Sequence, residues 1–220
     1  MKFKVITLFP QFIESLENYS IIGRAIKKRK ILLETIDLRD FGLGSYKQVD
    51  DRPYGGGIGM LLRVDVAVKA IRKAKEKTKQ CKVVILSAAG EKFTQKKAEE
   101  YSQLDELVLL CGHYEGHDKR IEDYADEMIS VGDFVVSGGE IPAMTVIDAT
   151  SRLVKSVLGK DESSQVESHS MLNGRRIIEY PQYTRPYEFE GKKVPQILLS
   201  GDPKKIGVWL DKKTKKSKLF

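Results

Sequence analysis

Short apolar runs alternate with amphipathic segments along most of the chain. The runs predict buried strands at residues 4–9, 31–38, 82–86 and 107–111, with two short strands at 127–131 and 134–136. The segments between them have apolar residues at helical spacing, which predicts helices at 11–30 (broken near Gly23), 64–77, 94–102 and 141–158. Apolar strands that alternate with amphipathic helices favour an α/β fold with a mostly parallel sheet covered on both faces.

The pattern changes after Gly159. Residues 160–174 are polar and serine-rich, which is typical of a mobile linker or lid. A short unit follows at 175–220, interrupted by Pro181, Pro186 and Pro195 and ending in a lysine-rich tail. We therefore expect one main domain at 1–159, a linker at 160–174 and a small C-terminal unit at 175–220.

The composition is that of an ordinary globular protein, with 41% hydrophobic and 31% charged residues among 220. The formal net charge of +7 favours an anionic partner such as nucleic acid. The N-terminal apolar stretch, interrupted by Pro10, is too short for a signal peptide, and no apolar run approaches the roughly 20 residues of a membrane helix. We expect a cytoplasmic protein with Cys81 and Cys111 reduced and buried in strands.

The glycine-rich run PYGGGIGM at residues 53–60 does not match the usual nucleotide-binding loops. Met60 occupies the last glycine position of G-x-G-x-x-G when the motif is counted from Gly55, and the run follows a loop and not a strand. A Walker A loop is also missing from the sequence. A nucleotide-like cofactor would therefore have to bind by another route.

Three other loops each follow a predicted strand. They are LSAAG at 86–90, CGHYEG at 111–116 and VGDFVVSGGE at 131–140. In open parallel sheets ligands bind beyond the carboxyl ends of the strands, and glycines there let the backbone approach a ligand closely. The three loops together could hold an adenine and a ribose. For any single loop, glycines that simply make a tight turn are an equally good explanation.

Two further groups of residues have alternative interpretations. His113 and His117 lie four residues apart with Glu115 between them, but Gly116 interrupts any helix and no third ligand is evident, so turn or surface histidines are favoured over a metal site. Asp50, Arg52 and Tyr54 combine acid, base and aromatic groups that suit contacts with RNA. For the whole segment from Asp50 to Tyr54, a salt-bridged turn is the better explanation when these residues are taken alone.

The longer motifs resemble those of one family. They are LFP near the N-terminus, VDDRPYGGGIGM at 49–60, LSAAG, CGHYEG, SVGDFVVSGGEIPAM at 130–144, the stretch from Asp148 to Arg152, YPQYTRP at 180–186 and VPQILLSG at 194–201. In this order they resemble the bacterial tRNA (guanine-N1)-methyltransferases, the TrmD family, over nearly the whole chain. Several of these motifs are long and unusual, so chance agreement is not a serious explanation.

The resemblance implies a SPOUT-type α/β fold whose mostly parallel sheet contains a deep trefoil knot. It also implies a homodimer with active sites shared between subunits, tRNA as partner and S-adenosyl-L-methionine as cofactor. Magnesium stays open as a second cofactor, favoured by Glu115 and by the family. The implied cofactor-binding residues are Leu86, Ser87, Gly112, Tyr114, Glu115, Gly116, Val131, Gly132, Asp133, Phe134, Val135, Val136, Ser137, Gly138, Gly139 and Pro142.

The implied reaction methylates N1 of guanosine at tRNA position 37. Guanine N1 carries a proton, so the enzyme needs a base near N1 and a group that stabilises negative charge on O6. By resemblance Glu167 is the base, Arg152 stabilises the charge, and Asp50, Arg52 and Tyr54 contact the tRNA. Glu167 stands where the family has Asp, His169 stands where an aromatic Phe is usual, and the C-terminal unit is shorter than the family's. The alternative is a non-catalytic homologue that binds S-adenosylmethionine or RNA without turnover.

Overall fold

A computed structural model describes residues 1–75, 80–158, 167–172 and 175–216. The chain divides into two compact units, Met1–Gly159 and Lys160–Phe220. The end of the helix predicted at 64–77 lies outside the described residues, and so do residues 160–166 and 173–174 of the predicted linker.

The first unit is built on a five-stranded sheet in the order β2-β1-β6-β5-β7, in which every neighbouring pair is parallel. Its strands are β1 (Lys2–Thr7), β2 (Leu32–Asp37), β5 (Cys81–Lys92), β6 (Glu106–Cys111) and β7 (Glu127–Ser130). Two short strands, β3 (Asp50–Asp51) and β4 (Leu61–Leu62), form a separate antiparallel ribbon. The predicted α/β class with a mostly parallel sheet is confirmed.

Helices cover both faces of this sheet. They are α1 (Pro10–Glu14), α2 (Ser20–Lys27), α3 (Val64–Ala74), α4 (Gln95–Ser102) and α5 (Glu140–Ser151), with 3₁₀ turns at Ser15–Asn18, Leu38–Phe41 and Lys119–Tyr124. Thr94 is the predicted N-cap of α4, and its Oγ1 accepts from the Lys97 amide at 3.4 Å.

Side chains of β6 alternate between two apolar clusters, as the two-residue period of a strand requires. Leu109 and Cys111 join α1, α2 and α5 on one face. Val108 and Leu110 join α3 on the other. All are at most 1% exposed, and burying a side chain of this size contributes roughly 1.5–3 kcal/mol. The sheet is therefore held from both sides, which leaves its carboxyl edge as the open place for a ligand.

Two predicted elements differ from the structure near their ends. The helix predicted at 11–30 is broken at Ser15–Asn18, whereas Gly23 lies inside α2. A Cβ at Gly23 would be 2.5 Å from the Glu17 carbonyl oxygen, so this glycine permits a close approach and does not end the helix. The helix predicted at 141–158 ends at Ser151.

The strand predicted at 134–136 is wrong. β7 ends at Ser130, and the next residues form an irregular loop in which Phe134 and Val135 are 58% and 86% exposed. The apolar sequence VV gives the same local signal as a buried strand, although here these side chains point out of the core.

The loop predicted at 86–90 is a bulge within β5. Leu86 pairs with Ile129 of β7, and Glu91 pairs with the same residue, so the intervening residues have no partner in β7. Strand β5 therefore leaves the sheet at the carboxyl edge and returns to it. Ser87 and Ala88 therefore do not pair with β7.

The second unit is small and largely exposed. Strands β8 (Met171–Leu172), β9 (Arg175–Ile178) and β12 (Lys215–Lys216) form an antiparallel sheet, and β10 (Glu188–Phe189) pairs with β11 (Lys192–Lys193). A 3₁₀ turn at Gln196–Leu199 precedes α6 (Pro203–Lys213), which Asp202 caps by accepting from the Lys204 amide at 3.0 Å.

No helix among the described residues is both long enough and apolar enough to cross a membrane.

Candidate active site at the carboxyl edge of the sheet

A cleft lies where β5, β6 and β7 end. The space between its lining residues is about 730 Å³, including the part that is open to solvent. Its lining includes every residue assigned to the cofactor by resemblance except Gly132 and Asp133, and it adds Ala88, His113, His117, Ile129 and Ser130. The three loops that the sequence singled out therefore meet at one site.

Gly132 and Asp133 lie on the third loop but do not line the cleft. The Ser130 hydroxyl donates to the Gly132 carbonyl at 2.8 Å, which fixes the turn that follows β7. Asp133 is 2.5 Å from Lys92 in an exposed ion pair. These two residues shape the loop from outside the cleft.

Glycines let the second and third loops approach each other closely. The Gly139 amide donates to the Gly112 carbonyl at 2.8 Å, and a Cβ at Gly139 would be 2.6 Å from the Cys111 Cα. A Cβ at Gly112 would be 2.8 Å from the Leu86 carbonyl oxygen of the first loop. Gly112 and Gly139 do not have positive φ, so a tight turn does not explain them. They are required because backbone packs against backbone.

The second loop has an unusual backbone at Tyr114, whose φ is 62°. A non-glycine residue in this left-handed region is uncommon and often belongs to a functional site. The Tyr114 side chain is 45% exposed at the cleft, and partial burial raises the pKa of its hydroxyl. The site therefore places an aromatic ring at its rim.

Glu115 connects the cleft to the glycine-rich run. Its amide donates to the Met60 carbonyl at 3.1 Å, and its side chain covers Gly59 so closely that a Cβ there would be 2.3 Å from the Glu115 Cγ. The run PYGGGIGM is thus a neighbour of the second loop of the cleft, a contact that sequence reasoning did not assign to Gly59.

Three polar residues beneath the cleft were missed as functional residues. His113 Nε2 is 2.8 Å from both carboxylate oxygens of Glu140, and the Thr7 hydroxyl donates to Glu140 at 2.5 Å. Burial opposes ionisation of Glu140, but hydrogen bonds from His113 and Thr7 outweigh it and lower the pKa of this carboxyl. A carboxylate at the start of helix α5, followed by the apolar run Ile141 to Met144, was the available signal.

The histidines are neither surface residues nor part of an evident metal site. His113 and His117 have side chains only 12% and 9% exposed, and each faces a glutamate, Glu140 and Glu122 respectively. In the described ranges, no cluster of three or more His, Cys, Asp or Glu residues could hold a metal ion. The preference for turn or surface histidines is met in part, because His113 begins a turn in which its carbonyl accepts from the Gly116 amide at 3.3 Å, whereas both side chains are largely buried.

The residues assigned to tRNA lie on the β3 ribbon and the loop after it. Tyr54 is 99% exposed, and the Asp50 carbonyl accepts from Gln48 at 2.9 Å. The ion pairs of this region use other residues, because Arg63 binds Asp51 at 2.6 Å and Asp65 at 3.0 Å. The segment 50–54 therefore takes part in a salt bridge through Asp51, in agreement with the salt-bridge interpretation.

Arg152 and Glu167 belong to different units. Arg152 is the partly buried C-cap residue of α5, and its amide donates to the Asp148 carbonyl at 3.2 Å. Glu167 begins a turn in which its carbonyl accepts from the Ser170 amide at 3.0 Å, and the His169 amide donates to Ile177 of β9 at 2.6 Å. The described part of the predicted linker, 167–172, is thus a turn and strand bonded to β9.

The fold and the cleft define an α/β protein with its candidate site beyond the carboxyl ends of parallel strands, which is where open α/β sheets bind their ligands. The family model described as tRNA (guanine-1)-methyltransferase TrmD matches residues 1–219, and the chain belongs to this family.

Curated relatives agree over almost the whole chain. A tRNA (guanine-N(1)-)-methyltransferase of Clostridium perfringens is 49% identical over 97% of this chain and 88% of its own length. One from Latilactobacillus sakei is 47% identical over 96% of this chain and 85% of its own. One from Thermus thermophilus is 46% identical over 95% of this chain and 84% of its own length. The resemblance drawn from the motifs is confirmed, and the chain is a tRNA methyltransferase by family.

Proposed function

We propose that this protein transfers a methyl group from S-adenosyl-L-methionine to N1 of guanosine at position 37 of tRNA. The observation that carries the proposal is the cleft at the ends of β5, β6 and β7, in a chain of the tRNA (guanine-1)-methyltransferase family. In this proposal residues 1–159 are the cofactor-binding domain, 160–174 a linker or lid segment, and 175–220 a basic unit that contacts tRNA.

The chemistry of the cleft suits the cofactor. Leu86, Val131 and Pro142 offer apolar surface for an adenine, and the backbone of the glycine loops offers donors and acceptors for its edge. Ser87 and Glu115 are hydroxyl and carboxylate groups able to bind ribose hydroxyls. Bound there, S-adenosyl-L-methionine supplies an electrophilic methyl group on its sulfonium.

The chain's own residues prepare the guanine. Glu167 accepts the N1 proton as general base, which leaves a lone pair on N1 for attack. Arg152 donates to O6, where negative charge grows as that proton leaves. Glu167 is one methylene longer than the aspartate expected by resemblance, and the turn from Glu167 to Ser170 bonded to β9 limits how far its backbone can move.

The tRNA contacts use Asp50, Arg52 and Tyr54 beside the cleft. Tyr54 is almost fully exposed and is available to stack on a base. The net charge of +7 adds attraction for the phosphate backbone. We further propose a cytoplasmic homodimer with a trefoil knot in which both subunits build each active site, and we leave magnesium as a secondary cofactor to be tested by chelation.

The first experiment measures methyl transfer from labelled S-adenosyl-L-methionine to unmodified tRNA with guanosine at position 37. A transcript with adenosine at that position is the matched control. Label on the first transcript alone, mapped to guanine N1, is the expected result. Cofactor binding without label on either transcript would favour the non-catalytic alternative, for which glutamate at 167 and histidine at 169 are the supporting observations.

Two variants test the assigned roles. Glu167→Gln keeps the size of the side chain but cannot accept the N1 proton, and we expect a loss of activity of at least 100-fold with unchanged cofactor affinity. Arg152→Ala should also abolish turnover while cofactor binding stays intact. An active Glu167→Gln variant would refute the base assignment, and loss of cofactor binding in Arg152→Ala would refute the placement of that arginine.

A further inference from the structure

A small polar cluster lies beneath the cofactor cleft, made of Thr7, His113 and Glu140. Thr7 is the last residue of β1, His113 follows β6, and Glu140 begins α5. Glu140 is only 4% exposed, and Thr7 is fully buried. The cluster therefore ties together three segments that are far apart in sequence at the point where the cleft begins.

The hydrogen bonds of the cluster have a defined direction. An ionised carboxylate can only accept, so Glu140 requires a hydrogen on His113 Nε2 and another on the Thr7 hydroxyl. The Thr7 oxygen in turn accepts from the Phe9 amide at 2.9 Å. The carboxylate thereby fixes the tautomer and the orientation of the His113 ring, as carboxylates do for histidines in other functional sites.

The His113 ring contacts both the cleft and the third loop. It lines the cleft, and its centroid is 5.3 Å from that of Phe9. On another side it packs against Gly138, where a Cβ would be only 2.4 Å from the His113 Cε1. The ring therefore occupies the space that a side chain at position 138 would need, and it packs closely against the Gly138 backbone, which lines the cleft.

We propose that Glu140 is a positioning residue for the cofactor. Acting through His113, it holds Ser137, Gly138 and Gly139 in the conformation that binds S-adenosyl-L-methionine. It contributes to cofactor affinity and not to the methyl-transfer step. This inference rests on the proposed function, because it takes S-adenosyl-L-methionine as the ligand of the cleft.

The test variant is Glu140→Gln. Glutamine preserves the volume, but its amide nitrogen cannot accept from either donor, so His113 or Thr7 loses a charge-assisted bond. We expect the Kd for S-adenosyl-L-methionine and for S-adenosylhomocysteine, measured by calorimetry without tRNA, to rise about 10- to 100-fold. The KM for the cofactor should rise in parallel. With saturating cofactor, kcat should stay within about threefold of the parent, since the reacting atoms are untouched.

Glu127→Gln is the matched control. Glu127 is also a largely buried glutamate, bonded to Lys82 at 2.9 Å and to Lys97 at 2.5 Å, but it begins β7 and does not line the cleft. This variant should lose stability and keep the parent's cofactor affinity. His113→Gln should reproduce the rise in KM, and the double variant with Glu140→Gln should be no weaker than the poorer single variant, because the two residues act as one unit.

The outcomes distinguish a failure of the proposed function from a failure of the inference about Glu140. Failure of the parent protein to bind S-adenosyl-L-methionine would overturn the proposed function and this inference with it. A parent that binds and a folded Glu140→Gln variant of equal affinity would overturn the inference alone. Equal affinity losses in Glu140→Gln and Glu127→Gln, in proportion to their lost stability, would also overturn it. If Glu140→Gln does not fold, His113→Gln decides by whether KM rises while kcat is retained.

Discussion

Two buried glutamates lie at opposite ends of the central sheet and have different partners. Glu106, the first residue of β6, is 1% exposed, and it binds Lys4 at 3.1 Å and the Cys81 thiol at 3.4 Å. Glu140, beyond the carboxyl end of β6, binds His113 and Thr7. Both carboxylates are removed from water, and the second is adjacent to the candidate active-site cleft.

The partners explain the difference. Lys4 is also buried, and it donates to the Ala74 carbonyl at 2.6 Å, which ties the end of α3 to β1. That arrangement holds α3 against β1, and the lysine is too deeply buried to contact a ligand. His113 is partly exposed at the cleft and has a ring that can be oriented. Similar buried charges therefore maintain the fold at one end of the sheet and the shape of a site at the other.

The largest expected effect comes from breaking the pair at the amino end. Lys4→Met removes the buried ammonium group that lies 3.1 Å from the Glu106 carboxylate, which should cost about 3–5 kcal/mol of unfolding free energy in urea denaturation. Cofactor affinity of the folded fraction should not change. The double variant Lys4→Met with Glu106→Leu is the control and should recover most of the loss, since apolar pairs often replace buried ion pairs without cost. A loss below about 1 kcal/mol in the single variant would contradict this prediction.

The next largest effect is expected at the carboxyl end of the sheet, where the loops of the cleft meet. Gly139→Ala places a Cβ 2.6 Å from the Cys111 Cα and 2.7 Å from the Gly112 nitrogen, and backbone atoms cannot move aside cheaply. We expect a loss of about 1–3 kcal/mol in stability together with a large loss of cofactor binding. Gly207→Ala in α6 meets open space and should be neutral or slightly stabilising. Normal cofactor binding by Gly139→Ala would contradict the close approach described for the two loops.

A smaller effect appears as the pH is lowered. The Glu140 carboxyl has a lowered pKa in the folded state, so it contributes stability that is present above its unfolded pKa and lost as pH falls through the folded pKa. The parent should therefore lose stability below about pH 4.5, and Glu140→Gln should lose less over the same range. Thermal melting of both proteins between about pH 3 and 7 measures this difference. Parallel profiles for the two proteins would contradict it.

The smallest expected effect concerns chemical labelling of Cys81, the first residue of β5, at the amino end of the sheet. Burial and the neighbouring Glu106 raise the pKa of Cys81 to about 11, and burial also raises the pKa of Cys111. Only the thiolate reacts, so at about pH 8 alkylation of Cys81 in the native protein should be on the order of 100-fold slower than that of a free cysteine. Mass spectrometry of the alkylated protein checks the rate. Rapid native labelling of Cys81 would contradict the described environment.

Periodicity predicted the strands and the covered faces because these depend on local alternation of apolar residues. It failed at residues 134–136, since two valines give the same signal on an exposed loop as in a strand. The sequence also placed the three loops correctly at one edge. It could not show that Gly112 and Gly139 touch, that Glu115 covers Gly59, or that His113 faces Glu140, because those contacts depend on how distant segments are brought together.

The hydrogen bond from Gly139 to Gly112 has a consequence for the order of folding. It joins loops that follow different parallel strands, and parallel strands pair only after a long crossover has closed. The cleft is therefore completed after the sheet, and its contacts are absent from a transition state that contains only paired strands. A ligand that binds there should slow unfolding and leave the refolding rate unchanged. The cofactor would therefore increase the kinetic stability of the folded protein without accelerating its folding.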